Sequence, residues 1–419
     1  MAIIRACIAC AGTFSTQDSF GAHNWDFLFY SLTKGFGIML DIEIVTVRTR
    51  YDLNEFVNLP WSIYHSQDNW VPPLKRDFRR LLDTRKHPFW EFAQRELFIA
   101  KKNGQTVGRI AAIIDTNYNQ SHQEKMGIWG FFECFNDPEV ATTLFASAEE
   151  WVRSRGMEFI RGPLNPSTNY ESGLLVEGFE LLPTIMMPWN FPYYRDLVEN
   201  SGYFKEKDLF TFRIAQTDPI GARIERLSRR ILRQGHVSVR NISRKNYASD
   251  IRLLASLYTD AWSTNWGFVP MSDGEIREMG RNLIRILEDN LVFFVLYDGK
   301  PAGISMMLPD MNPFLKQANG HIGISSGIKF LFRRRFNAGL RVAMAGVKKQ
   351  FHRLGLPLVM YHYMNLVFRN NQNVKFVEFG WILEDNQEVN NIVIEVGAKK
   401  SGVYRIFRKS LIQEPSIAH

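Results

Sequence analysis

The sequence predicts a duplicated α/β (α+β) fold: two tandem copies of one domain, each a mixed, mostly antiparallel sheet flanked by helices. Three observations predict it. Gly104, Gly108, Asp115, Asn117 and Gly202 recur as Gly299, Gly303, Asp310, Asn312 and Gly397, every pair 195 residues apart. The residues around them match in character, Leu97-Phe-Ile-Ala-Lys-Lys-Asn-Gly being answered by Val292-Phe-Phe-Val-Leu-Tyr-Asp-Gly. Upstream, Val45–Arg48 mirrors Val237–Arg240 and Asn69-Trp70 mirrors Asn265-Trp266, at offsets of 192 and 196. A period this long marks duplication of a whole domain, not a solenoid.

Bulk properties agree with two globular copies. The 419 residues, 45% of them hydrophobic, suffice for two cores at roughly 100–200 residues per domain. The chain holds no uninterrupted apolar run of the ~18 residues that a membrane span requires. A formal charge of +8 favours anionic ligands or surfaces without being gathered in a tail. Cys7, Cys10 and Cys134 cannot make a disulfide framework, and Cys7-x-x-Cys10 lacks a second pair of zinc ligands. No metal is expected, and a reducing cytoplasm is the simplest compartment. Residues 1–41 lie outside the repeat and lack a good cleavage site; a genuine extension and a mis-called start codon both stay open.

In the first copy (42–216), Ile42–Arg48 alternates as a strand and Asp52–His65 has a helical pattern. Leu97–Ile114 forms two strands around Asn103-Gly104, a strong hairpin signal. Met126–Phe135 is the next strand, and Asp137-Pro138 then opens a long helix that stops at Gly156. Glu158–Arg161 is a short buried strand, Pro192–Ser201 a helix and Lys207–Ile214 the last strand. A basic linker (217–235) with a helical pattern over Asp218–Gln234 joins the halves.

The second copy (236–412) repeats this order and is followed by a short tail, 413–419. Asp298-Gly299 is its hairpin turn, Leu340–Val347 its fourth strand, and Leu356–Asn370 its long helix. Phe376–Ile382 is its fifth strand, Gln387–Val396 its next helix and Gly402–Phe407 its last strand.

The strand Arg341–Val347 runs into Lys-Lys-Gln-Phe-His-Arg-Leu-Gly-Leu-Pro-Leu and then a helix. Such a junction can gather backbone N–H groups on a phosphate, because the first helical turn leaves donors unpaired and carries positive partial charge. Here the sequence resembles the GCN5-related N-acetyltransferase (GNAT) superfamily, whose acyl-CoA loop reads Gln/Arg-x-x-Gly-x-Gly/Ala. His352-Arg-Leu-Gly355-Leu-Pro357 lies on that pattern, keeping the central Gly355 and departing at both ends. Phe379–Asn386 followed by a helix ending at Gly397 resembles the family's fifth strand, its Asn and the following helix. The Tyr that many members carry in that helix is missing from Val389–Val396. The first copy has Glu133-Cys-Phe-Asn-Asp-Pro-Glu at the loop, with no Gly and with acids that would repel a pyrophosphate. It carries instead Gly162-Pro-Leu-Asn-Pro-Ser-Thr-Asn-Tyr-Glu-Ser-Gly173, dense in short hydrogen-bonding groups, and then an aromatic run to Tyr194. Over about residues 43 to 412 the chain resembles a little-characterised tandem branch of the superfamily.

The resemblance implies two acyl-CoA N-acyltransferase-like domains, the first degenerate and the second holding the acyl-CoA site. It implies an acyl group, acetyl or another, passed to a small-molecule or peptide amine. Met344, Ala345, Val347, His352, Arg353, Gly355, Leu356 and Asn386 are the expected acyl-CoA contacts. Glu384 is a candidate base, with Asp385 beside it, and Tyr404 a candidate acid; the two carboxylates fit helix capping equally. Asn165, Ser167, Asn169, Glu171 and Trp189 are candidate substrate contacts, although Asn and Ser in such runs also satisfy their own backbone. The basic run Lys329–Phe336 is a solvated face or an anion or lipid-headgroup site. Trp70 and Trp266 are expected as core anchors. A non-catalytic ligand-binding protein on the same fold and an aminoacyl-tRNA-dependent transferase are the rival readings; apart from that tRNA, no nucleic-acid partner is expected. Oligomeric state is not legible.

Overall fold

The computed structural model of the protein describes residues 42–219, 221–286, 288–323 and 339–412. The extension 1–41 with Cys7 and Cys10, the run Lys329–Phe336 and the tail 413–419 lie outside the described residues.

The chain opens with β1 (Ile42–Thr46), α1 (Arg50–Ile63) and α2 (Lys75–Leu82), followed by the hairpin β2 (Ala93–Lys102) and β3 (Gln105–Asp115). Next come α3 (Thr116–His122), β4 (Met126–Cys134), α4 (Pro138–Arg153) and β5 (Phe159–Gly162). Short strands β6 (Leu164–Asn165), β7 (Glu171–Ser172) and β8 (Leu174–Glu177) precede α5 (Tyr194–Asn200) and β9 (Phe204–Ala215). The linker forms α6 (Ala222–Arg233). The second half repeats the plan with β10 (Val237–Asn241), α7 (Tyr247–Trp262), α8 (Asp273–Ile286), β11 (Val292–Tyr297), β12 (Lys300–Pro309) and α9 (Asn312–Ala318). It ends with β13 (Gly339–Val347), α10 (Leu356–Asn370), β14 (Phe376–Leu383), α11 (Gln387–Val396) and β15 (Lys399–Ser410).

Local chemistry sets many of these boundaries. Thr49 and Asp52 form a reciprocal capping box at the start of α1. Asn103 and Asp298 both take left-handed backbone ahead of their glycines, the primed-turn geometry that suits the twist of a hairpin. The repeated Asp115 and Asp310 have one job: each carboxylate accepts backbone N–H groups where β3 or β12 turns into a short helix. α4 buries Val140, Leu144, Phe145, Ala148 and Val152 against the first half's strands, and α10 buries Val359, Met360, Met364 and Val367 in the second.

Among the described residues, thirteen strands form one sheet whose main path runs β1-β2-β3-β4-β5-β15-β9-β14-β13-β12-β11-β10, with β8 beside β15. The two last strands have changed places. β15, from the end of the chain, pairs with β5, while β9, from the first half, pairs with β14. The cores follow the strands: Tyr404, Ile406 and Phe407 are buried in the first half's core, and Phe212 and Ile214 in the second's. β9 and β15 pair antiparallel with each other and fuse the halves into a continuous sheet.

Candidate active site

Each half contains one pair of adjacent parallel strands, and in each the pairing stops partway. β4 and β5 pair only over Met126–Ile128. β13 and β14 pair only from Gly339 to Val342. Beyond those points each outer strand is left with an unpaired edge of backbone groups, which a ligand can meet. The two edges differ in access. Every residue of β4 is buried except Glu133, whereas Ala343, Met344, Ala345 and Gly346 are partly exposed.

An insertion accounts for the difference. β14 crosses the breakpoint with only a register shift between Phe379 and Ile382. In the first half the corresponding edge is interrupted between β5 and β8 by Pro163–Gly173, which folds into the β6–β7 hairpin. That hairpin lies on β4: Asn165 Oδ1 accepts the Phe131 N–H at 2.6 Å, and a Cβ on Gly130 would overlap the Leu164 carbonyl oxygen. Behind it, Glu133 accepts the Tyr64 and Tyr194 hydroxyls, both at 2.7 Å, with Arg109 3.6 Å away. The first cleft is thus filled by its own chain.

The same insertion reaches the second half. Asn169 donates to the Val269 carbonyl at 3.2 Å and accepts the Tyr258 hydroxyl at 2.8 Å, and Thr168 donates to the Gly267 carbonyl at 2.6 Å. Ser167 is buried and accepts the Asn169 N–H. Trp189 is buried and donates to the Phe179 carbonyl. Asn165, Ser167, Asn169 and Trp189 therefore spend polar groups on backbone and packing. Glu171 differs: it is partly exposed, burial pushes its carboxyl up, and Arg341 draws it back down. Its neighbour Gly173 packs on Tyr404.

Arg341 organises the closed end of the second cleft. Its guanidinium donates to the carbonyls of Gly380 at 3.2 Å, Ile185 at 2.8 Å and Met186 at 3.1 Å, and lies 4.8 Å from the Trp381 ring centroid. Burial pulls it down to about 10, so it stays cationic at neutral pH. Tyr404 is buried and burial raises its hydroxyl, so it stays a donor. Trp381 Nε1 and Ser305 Oγ are buried without a partner among the described residues, and Ser305 sits directly opposite Ala345. Unpaired buried polar groups are costly and often mark a place where something else binds.

At the open end, β13 leads through a 3-10 turn, Lys349–Leu354, into α10. Gly355 has φ +73°, and a Cβ there would come within 2.6 Å of Ile231 Cδ1 on α6. No side chain caps α10 and no acid lies in its first turn. In the first half the Asp137 carboxylate accepts the Glu139 and Val140 N–H groups of α4 and is ion-paired with Lys102 at 2.7 Å. The junction that could hold a pyrophosphate carries an internal anion in one half and none in the other. His352 and Arg353 are exposed, with His352 Nε2 2.8 Å from the Val347 carbonyl; Leu356 is fully buried.

Asn386 caps α11 by accepting the Val389 N–H. Glu384 accepts Lys205 Nζ at 2.6 Å and the Asp208 N–H at 3.0 Å, and Asp385 pairs with Lys207 at 2.9 Å, so both acids tie β14 to β9. Trp70 and Trp266 are only partly buried: Trp70 stacks on Tyr64, and the Arg161 guanidinium lies 4.9 Å from the Trp266 ring centroid. Sequence reasoning passed over Arg341, Ser305 and Trp381. Arg341 had a signal, a single charge inside the apolar run Leu340–Val347; the other two had none.

The splayed parallel pair within a mixed sheet is the GNAT fold, here carried twice in one sheet as in a tandem GNAT protein. The chain belongs to the family of the bacterial ceramide synthase of Caulobacter vibrioides, with which it is 32% identical over 377 residues, covering 88% of this chain and 98% of that protein. Protein YghO of Escherichia coli is 32% identical over 373 residues, covering 87% of this chain and 95% of YghO. No model of a known protein family matches the chain. Among solved structures, the GCN5-related glucosamine N-acetyltransferase region of a fungal multi-domain GH3 β-N-acetylglucosaminidase superposes with a TM-score of 0.56 at 12% identity, over 88% of this chain and 38% of that longer one. A tandem GNAT protein from the clavulanic acid biosynthesis pathway gives a TM-score of 0.50 at 11% identity, over 90% of this chain and all (100%) of that one.

Proposed function

We propose that the protein is an N-acyltransferase with one active cleft, in its second half, which takes an acyl-CoA and acylates the amine of a long-chain sphingoid-type base. The observation that carries this reading is the asymmetry of the splayed strands: Ala343–Gly346 is accessible where β13 and β14 part, and the first half's equivalent is filled by the β6–β7 hairpin. The acceptor class is taken from the ceramide synthase relative.

Acyl-CoA fits the residues present. The uncapped start of α10, with Lys349 and Arg353 around it, offers donors and positive charge to a pyrophosphate. The Met344–Val347 edge would position the thioester arm and polarise its carbonyl. Gly355 keeps the turn into α10 free of a side chain, and Leu356 fixes the helix in the core.

Glu171 is the better-placed base, because Glu384 is held by Lys205. A carboxyl raised by burial is a stronger proton acceptor near neutral pH. Glu171 takes a proton from the ammonium, and the freed nitrogen attacks the thioester carbonyl. The C–N bond forms as the C–S bond breaks. Tyr404 donates its proton to the departing thiolate and recovers one from the amide nitrogen, held in place beside Arg341 and Trp381.

The test incubates the full chain with acetyl-CoA or palmitoyl-CoA and either sphinganine or a polyamine, following thiol release and amide mass. Turnover with the long-chain base, lost in Gly355→Trp, is the expected result. Absence of product with every acceptor, together with no acyl-CoA binding by calorimetry, overturns the reading in favour of a non-catalytic protein; product only when an aminoacyl-tRNA is supplied as donor in a parallel arm replaces it with the aminoacyl-tRNA-dependent transferase.

A further inference from the structure

The linker helix α6 buries Ile224 and Ser228, with Ile231 half-buried against Gly355, and turns five arginines outward: Arg223, Arg226, Arg229, Arg230 and Arg233 are all exposed. Five cations on a helix of 12 residues repel one another and need a reason to be there. Arg223 pairs with Glu395 at 3.3 Å and Arg229 with Glu225 at 2.5 Å. Arg226, Arg230 and Arg233 have no ion-pair partner among the described residues.

This face is continuous with two neighbours. Ser228 Oγ donates to the Leu358 carbonyl of α10 at 2.8 Å, which fixes the helix beside the Lys349–Leu354 turn. Glu388 of α11 lies 3.6 Å from His352 in that turn, and Glu395 at the other end of α11 holds Arg223. The three elements surround the start of α10. Their outer surface adds two exposed aliphatic side chains to the arginines: Leu354, 43% exposed, and Ile394, 56% exposed.

We propose that this face docks the protein on an anionic phospholipid bilayer. Unpaired arginines with aliphatic side chains among them match a headgroup layer, where charge meets phosphate and small apolar groups enter the boundary with the chains. The same arginines would attract RNA, but sequence-tolerant RNA binding also uses exposed aromatic platforms, and this face has none among its described residues. The docking stands on the surface alone and does not depend on the acyl-transfer reading.

The test is co-sedimentation of the full chain with phosphatidylglycerol vesicles, with phosphatidylcholine vesicles and with tRNA as comparison arms. Binding to phosphatidylglycerol, weak or absent on phosphatidylcholine and lost at about 0.5 M salt, is expected. Each cation near such a surface is worth about fivefold, so the triple variant Arg226→Ala/Arg230→Ala/Arg233→Ala should weaken binding by on the order of a hundredfold. The triple Arg→Lys variant should keep it, and an unchanged melting temperature shows that the helix is intact. Equal sedimentation of wild type and the alanine variant, equal binding to both vesicle types, or retention by tRNA but not by vesicles would overturn the proposal. None of these readouts requires turnover, so failure here leaves the acyl-transfer reading standing.

Discussion

Lys409, on the last strand of the chain, holds Glu149 of α4 at 2.8 Å across 260 residues of sequence and also donates to the Ser201 carbonyl at 2.9 Å. The ion pair is a local mark of the strand exchange: the C-terminal strand is a component of the first half. Phe407 beside it is fully buried in the first half's core. Phe407→Ala should therefore cost about 3–5 kcal/mol, and in a chain with residues 42–216 alone the first half should fail to show a cooperative thermal transition. A synthetic peptide spanning 399–412, added to that fragment, should restore one; a cooperative melt of the fragment without it would refute the dependence.

Glu171 is the residue on which the proposed chemistry turns. Glu171→Gln should lower kcat by about 10²–10⁴-fold with little change in acyl-CoA affinity. Because burial raises this carboxyl, wild-type activity should climb with pH until it ionises, and the variant should lose that limb. Rate-pH profiles of the two proteins, measured side by side, decide it; a parallel profile at reduced amplitude would assign Glu171 a merely structural part.

Asp115 predicts a pH signature in stability. Burial raises its carboxyl to about 6, above the ordinary value of 3.8, so between those values the folded state binds more proton than the unfolded state. Its contribution to stability is present at low pH and is lost as pH rises through about 6. Asp115→Asn keeps an acceptor for the Tyr118 N–H and removes the charge, so it should stabilise by about 1–2 kcal/mol at pH 8 and give no gain at pH 4. His87 runs the other way: burial lowers it to about 4, so the unfolded state takes up its proton first and stability falls as pH drops from about 6.5. Denaturant midpoints of variant minus wild type at each pH cancel the His87 effect.

Asp137 tests the asymmetry of the halves. Asp137→Ala removes the cap of α4 and the partner of Lys102, which should cost about 1 kcal/mol. It opens the start of α4 without emptying the first cleft, because the β6–β7 hairpin stays in place. Calorimetry with acyl-CoA should still give one site per chain. A second site appearing in the variant would mean that the carboxylate, not the hairpin, keeps the first half closed.

Much of this architecture is legible in the sequence because local chemistry fixes it. Asn103-Gly104 and Asp298-Gly299 make the hairpins, and Asp137-Pro138 starts α4 where expected. The amphipathic pattern of Leu356–Asn370 gives α10 to the residue. The partner of a strand is another matter. The alternation in Phe204–Ala215 says that one face is buried, but whether it lies on β5 or β14 is decided by partners far along the chain, such as Phe376 for Ala215 and Arg408 for Phe204. α2 escaped for a different reason: its sequence Lys75–Leu82 is so charged that Leu82 is its one fully buried residue, which leaves little apolar period to read.

The candidate site was legible in part. The contrast at the two strand-to-helix junctions follows from Asp137 on one side and Gly355 on the other, both visible as residue types. The run Asn165–Glu171 drew attention by its density of short polar groups, yet four of the five nominated residues there and at Trp189 satisfy backbone or core. Glu171 separates from them through its surroundings, Arg341 and the sealed first cleft, and no pattern in the sequence announces a neighbour 170 residues distant.

The exchange of β9 and β15 has a consequence for how the protein is made. On the ribosome, β5 emerges about 240 residues before β15, and at roughly 5–20 residues per second that interval lasts some tens of seconds. Throughout it the first half has an open sheet edge at β5 and a core that waits for Tyr404, Ile406 and Phe407. Folding of the first half is thus completed only once β15 has emerged, and a chain that stops short of Lys399 is a chain with an unfinished beginning.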